Sequence, residues 1–143
     1  MKTSPKGIAL IKEFEGLRLK AYKCPGGVWT IGYGHTAGVK AGMVITEAQA
    51  EEFLKEDLVS CENAVNNQKL SINQNQFDAL VSFIYNIGTG NFSRSTLLRK
   101  VKAHPQDNSI MDEFLKWVYS KGHVLPGLQR RRLAEMKLYF SND

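Results

Sequence analysis

EFEGLRLKAYKCPGGVWTIGYGHT, residues 13–36, is the stretch on which the fold of this chain turns. It begins at the tail of an apolar helix. Ser4 suits an N-cap, Pro5 the first helical position, and Gly16 a stop just after Phe14 or Glu15. The pattern then changes. Leu19 and Tyr22 lead into a Pro25-Gly26-Gly27 turn, and Val28 to Tyr33 are β-formers followed by Gly34. Residues 18–35 therefore read as the strands of a hairpin.

Downstream the pattern is helical. Thr46 with Gln49 makes a capping box for a long helix reaching about Val65. Residues 66–75 form a polar connection, after which Phe77, Leu80, Val81, Ile84 and Ile87 keep helical period up to Gly88. Residues 89–93 read as a Gly/Asn-rich loop, with Ser93 capping a short helix that holds Leu97, Leu98 and Val101 and ends at Pro105. One more helix carries Ile110, Met111, Phe114, Leu115 and Val118, and a last one follows Pro126 to Phe140. The expected class is α+β, with one β region: a small lobe over about residues 17–45, and a helical lobe over about 46–143 plus the N-terminal helix 4–15. A cleft between the lobes is expected.

A chain of 143 residues is one domain, long enough to bury a core. Its 43% hydrophobic and 23% charged residues fit a soluble globular protein and argue against disorder. No apolar run reaches the ~18 residues of a membrane span. Lys12, Glu13 and Glu15 interrupt the first helix in a way that a signal-peptide core would not tolerate, so the chain is expected to start out in the cytoplasm of its producer. Cys24 and Cys61 are too few for a disulfide framework and lack metal-ligand spacing; two free thiols are the default. The net charge of +5 favours anionic partners only weakly, because Arg130, Arg131 and Arg132 are the one basic run.

Glu15 shares a helix face with Ile8 and Ile11, seven and four residues before it. Partial desolvation and the negative end of the helix dipole both disfavour its ionised form, as a general acid requires. Taken alone it reads more readily as a surface carboxylate at a frayed helix end, and Thr30 as an ordinary β-branched strand residue. Eight residues separate Glu15 from Cys24, and five separate Cys24 from Thr30.

That spacing, with the GYGHT that follows, resembles the phage-type lysozymes (endolysins), whose signature is Glu, eight residues, Asp or Cys, five residues, Thr. The resemblance covers nearly the whole chain. It implies a muramidase that cleaves the β-1,4 bond between N-acetylmuramic acid and N-acetylglucosamine by inversion. Glu15 is then the acid, and Thr30 orients the attacking water through a hydroxyl that donates and accepts. Inverting enzymes separate their two catalytic groups by roughly 6.5–9.5 Å to admit that water. Cys24 stands where many members carry Asp. A thiol of pKa ~8.5 is mostly neutral at pH 7, so Cys24 is expected to assist rather than dominate. No activating His adjoins it in sequence, which disfavours covalent catalysis.

Further positions follow from the same resemblance. His35, closing GYGH after Gly34, matches a position facing the long helix, where Asp57 sits oddly among Phe53, Leu54, Cys61 and Ala64. A buried carboxylate needs a partner, and the two are expected to pair structurally. FIYNIGTGNFSRSTL, residues 83–97, resembles the far cleft wall, which makes Tyr85, Asn86 and Ser95 candidates for substrate binding, and Gly34 of GYGHT is a further one; Tyr85 reads alternatively as core and Asn86 as a cap. GLQRRRLAEMKLY, residues 127–139, resembles the closing helix. There Arg131, ahead of Arg132, is placed to approach Glu15 or an anionic group of the substrate, with an exposed basic face as the alternative.

The resemblance implies no cofactor and no metal, a peptidoglycan substrate, and a monomer that binds no nucleic acid. A holin would be needed functionally, without direct contact: the enzyme waits in the host cytoplasm until the membrane is permeabilised, then lyses the cell from the periplasmic wall. Two rivals stand beside this reading. A lytic transglycosylase would use the muramic 6-hydroxyl as nucleophile, which the Thr30 and Cys24 positions disfavour. A non-enzymatic module would bind wall polymer or nucleic acid through its basic helix, but paired aromatic platforms with basic strands are missing.

Overall fold

The computed structural model describes residues 1–142. Two compact units emerge, one formed by Ile11–Val59 and the other by Met1–Leu10 with the chain from Ser60 onward. The divisions fall inside helices α1 (Pro5–Glu15) and α2 (Glu47–Asn66).

In the smaller unit, α1 ends as Gly16 turns into the left-handed region (φ 72°) and its N–H bonds the Lys12 carbonyl at 3.0 Å. Strands β1 (Arg18–Lys23) and β2 (Trp29–Gly32) then pair antiparallel, with Lys23 opposite Trp29, Tyr22 opposite Thr30 and Arg18 opposite Gly32. Between the last two pairs β1 advances further than β2, so β1 bulges. The bulged stretch finds other partners: Ala21 N–H bonds the Met43 carbonyl and Ile45 N–H the Leu19 carbonyl, both at 2.9 Å. Ile11, Ile31, Ile45, Ala50, Leu54 and Leu58 are buried here. Thr46 and Gln49 cap α2 reciprocally, at 2.8 and 3.1 Å.

The larger unit is built around α3 (Gln74–Ile87), which is buried continuously from Asn75 to Ile84. Around it lie α4 (Thr89–Ser93), α5 (Thr96–Ala103), α6 (Ile110–Leu115), a two-stranded ribbon of β3 (Tyr119–Ser120) and β4 (His123–Val124), and α7 (Pro126–Tyr139), which packs on α3 and α6. Phe83 meets Phe114 and Trp117 edge-on, with centroids 5.4 and 5.8 Å apart. The first turn of α1 is rooted in this unit by two carboxylates. Asp78 takes the Ser4 N–H at 3.0 Å and the Ser4 hydroxyl, while Glu62 takes the Thr3 N–H and hydroxyl at 2.8 and 2.7 Å. Orphan donors at the helix start are thereby satisfied.

Five local expectations are corrected. Residues 89–93 form helix α4 rather than a loop. The cap of α5 is Ser95 rather than Ser93: its Oγ accepts from Leu98 N–H at 3.0 Å and donates to the Phe92 carbonyl at 2.7 Å. Helix α6 stops at Leu115, short of Val118, and the β3–β4 ribbon adds a second β region that no alternation announced. Helix α3 begins at Gln74, because Asn73 and Gln76 form a second capping box, at 2.8 and 3.0 Å. Among the described residues no helix is long and apolar enough to cross a membrane.

Candidate active site

Glu15, Cys24, Thr30, Gly34, His35 and Asp57 all fall in the unit Ile11–Val59. Glu15 is the last residue of α1 and half-buried, three residues before Arg18, where β1 begins its bulged path. Its carboxyl is therefore carried at the end of a helix rather than on a loop.

Cys24 and Thr30 meet across the hairpin. Because Tyr22 stands opposite Thr30, Cys24 two residues on is its diagonal neighbour on the same face. The turn is closed by Cys24 N–H to the Val28 carbonyl at 3.0 Å and Gly27 N–H to the Cys24 carbonyl at 2.8 Å. The thiol is held below its ordinary range, first by the backbone N–H of Val28, then by that of Gly26, with the Thr30 hydroxyl adding to them; partial desolvation opposes but does not prevail. Thr30 is 5% exposed, and its Oγ1 lies 3.0 Å from the Val28 carbonyl. With one proton to give, that hydroxyl donates either to the carbonyl or to the sulfur. The turn thus favours more thiolate at Cys24 than an ordinary cysteine would carry.

Gly34, at φ 95°, bends the chain so that His35 and Ile31 exchange backbone hydrogen bonds of 2.9 Å. The buried His35 ring is gripped from one face of α2. Its Nδ1 lies 2.8 Å from Asp57 Oδ2, and the ring stacks on Phe53 at 4.1 Å with an interplanar angle of 5°. Asp57 and Phe53 are four residues apart, so both project along one helix side. Nearby in the same unit, Lys12 and Glu51 pair at 2.7 Å; that bond raises the lysine and lowers the carboxyl from their usual ranges.

Tyr85, Asn86, Ser95 and Arg131 lie in the larger unit. Tyr85 is half-buried and Asn86 exposed near the end of α3. Ser95 is buried and its hydroxyl is committed to capping α5, so its part there is structural. Arg131 and Arg132 are both buried, contrary to an exposed basic face. Arg131 Nε lies 3.2 Å from Glu135 Oε2, and its Nη2 donates to the Ser82 carbonyl at 3.0 Å. Arg132 Nε lies 2.8 Å from Glu135 Oε1, while its Nη2 donates to Asn86 Oδ1, also at 2.8 Å. The link from Arg132 to Asn86 was not anticipated; an RRR run does not show which side chain turns inward. Asn86 also lines a pocket of about 400 Å³ with Trp117, Tyr119, Ser120 and Leu128. Among the described residues no group of three or more His, Cys, Asp and Glu is arranged to hold a metal ion.

This fold is lysozyme-like. The muramidase domain of SpmX from Asticaccaulis excentricus superposes with a TM-score of 0.91 at 40% identity, covering 98% of each chain. The endolysin of Acyrthosiphon pisum secondary endosymbiont phage 1 is 47% identical over 99% of both chains. The Bacillus phage PZA endolysin is 46% identical over 99% of this chain but only 56% of its own length, so this chain spans about half of that relative. Residues 12–135 match the phage lysozyme family, and the chain belongs to it. It is a glycoside hydrolase of the lysozyme type.

Proposed function

We propose that this chain is a muramidase acting as a single catalytic domain. It hydrolyses the β-1,4 bond between N-acetylmuramic acid and N-acetylglucosamine of peptidoglycan with inversion. The observation that carries the reading is the Cys24–Thr30 pair, set diagonally across the hairpin that leaves the helix ending in Glu15. A carboxyl on a helix end and a hydroxyl–thiol pair on the next strands supply the two roles that inversion needs. Glu15 gives its proton to the leaving glycosidic oxygen as the anomeric C–O bond breaks. Thr30 Oγ1 holds the attacking water. The Cys24 thiolate, favoured by the Val28 and Gly26 N–H groups, takes the proton that this water loses. His35 and Asp57 keep the strand and α2 together. Asn86 and Tyr85 are glycan contacts of the larger unit, and Gly34 is one of the smaller.

The biological role that fits is lysis of a bacterial host. The protein acts as a monomer, held in the cytoplasm until a holin opens the membrane, and no nucleic acid takes part. Mass spectrometry of soluble products from purified Gram-negative peptidoglycan tests the chemistry. Reducing muramic ends made by the wild type and absent with Glu15→Gln are expected. Anhydromuramic ends would move the assignment to a lytic transglycosylase, and no products at all would leave a wall-binding module.

A further inference from the structure

Arg132 is fully buried, yet one of its nitrogens reaches a surface side chain. Its guanidinium is fixed from below by Glu135, with Nε 2.8 Å from Oε1, and covers the Phe83 ring at 5.1 Å. Its Nη2 bonds Oδ1 of the exposed Asn86 at 2.8 Å. A guanidinium has no lone pair to offer, so the carboxamide atom facing it must be oxygen. The amide –NH2 edge is therefore turned the other way. Asn86 lines the 400 Å³ pocket in which half-buried Trp117 and exposed Tyr119 supply aromatic surface. Asn91, Lys116 and Ser120 add polar groups to that lining, so it offers both apolar and hydrogen-bonding surface, as a sugar-binding site needs. A buried ion pair behind an exposed amide is a costly way to hold a surface residue, and with Oδ1 engaged by Arg132 the –NH2 is what Asn86 can offer a ligand.

We propose that Arg132 is a positioning residue of the substrate site: it locks Asn86 so that this side chain presents an N–H donor to an amide carbonyl of the glycan. The inference rests on the muramidase reading. The carbonyl chemistry has two sources in peptidoglycan, the acetamido group of a sugar and the amide bonds of the stem peptide.

The test is steady-state release of reducing muramic ends by wild type, Asn86→Asp and Arg132→Lys. Three wall preparations are compared: intact, chemically de-N-acetylated, and stripped of stem peptides by an amidase. Aspartate at position 86 keeps an oxygen for Arg132 and loses the donor. On intact wall, KM for Asn86→Asp is expected to rise about tenfold, the factor for one lost hydrogen bond, with kcat unchanged and no fall in melting temperature. The KM difference is expected to vanish on the preparation that lacks the recognised carbonyl, which identifies its source. Arg132→Lys should raise KM similarly and add nothing in the Asn86→Asp background. If Arg132→Lys does not fold, NMR relaxation of the Asn86 side-chain amide in the wild type decides the part of Arg132: an ordered amide is expected, and a freely mobile one overturns the proposal. An unchanged KM, a loss confined to kcat, or an equal KM rise on all three preparations overturns the proposal. Failure of the wild type to release reducing ends from intact wall would instead sink the muramidase reading, and this proposal with it.

Discussion

Replacing Gly7 by alanine is expected to destabilise the protein by about 1–3 kcal/mol, although alanine is the better helix former. In an open helix the exchange would gain roughly 1 kcal/mol. At Gly7 an added Cβ would lie 2.7 Å from Asp78 Cγ, 2.8 Å from Asp78 Cβ and 2.8 Å from Thr3 Cγ2. Neither neighbour can step aside cheaply. Asp78 is fully buried and holds Ser4 and the Gln74 amide, and Thr3 is tied to Glu62 by two bonds. Overpacking costs ~1–3 kcal/mol, and weakening a charge-assisted bond to the helix start adds about 1 kcal/mol or more. Set against the propensity gain, the net loss should lower the melting temperature by about 3–10 °C in a chain of this size. Scanning calorimetry at pH 7 on Gly7→Ala, Asp78→Ala and the double variant measures it. The cost of Gly7→Ala should shrink once Asp78 is removed. A single variant that melts at or above wild type, or an identical cost in both backgrounds, would show that the close approach does not govern this helix start.

Three further outcomes follow from the geometry. Cys24 should react with iodoacetamide with a midpoint below the ~8.5 of a free thiol, and Thr30→Val should move that midpoint upward; a pH–rate profile at the free-cysteine position would refute the thiolate assignment. Cys24→Ser should slow turnover far less than Glu15→Gln, so equal losses in side-by-side rate assays would make the thiol essential and overturn the division of labour. Burial alone would raise the Glu113 carboxyl, but the hydrogen bonds and charges of Lys100 and Lys116 outweigh it and hold the group low. A lowered carboxyl contributes stability above its unfolded pKa of ~4.3 and loses it as pH falls through the folded value. Glu113→Gln should therefore melt below wild type at pH 7, with the gap narrowing below about pH 4; a gap independent of pH in thermal melts would contradict this.

Much of the fold was legible because its signals are local. The Pro5 start, the Gly16 stop, the Pro25-Gly26-Gly27 turn and the Thr46/Gln49 box each act within a few residues, and each stands where expected. The Asn73/Gln76 box carries the same signature and was readable in principle. Helix α4 and the β3–β4 ribbon were not, since elements of five and two residues are too short to show a period. Ser93 and Ser95 are both competent caps, and what separates them is the burial of Leu97 and Leu98, a tertiary fact. In the site, spacing pointed to Glu15, Cys24 and Thr30, but the diagonal contact of the last two depends on strand register, which the turn closed by Cys24 and Val28 sets. The inward turn of Arg131 and Arg132 depends on the packing of α7 against α3 and is invisible in a run of three identical residues.

The bulge in β1 also bears on how such a chain can vary. It absorbs the residues between Arg18 and Tyr22 that β2 does not match, and Arg18, Leu19 and Lys20 point their side chains into solvent. Their identities are thus nearly free, while their number is not: one residue more or less changes the length of chain between Glu15, at the end of α1, and the Cys24–Thr30 pair that the turn holds. On the proposed reading, the interval between Glu15 and Cys24 works as a ruler, fixing length while leaving content open. A library that randomises those three exposed positions should keep activity in most members, and one that inserts a single residue there should keep it in almost none.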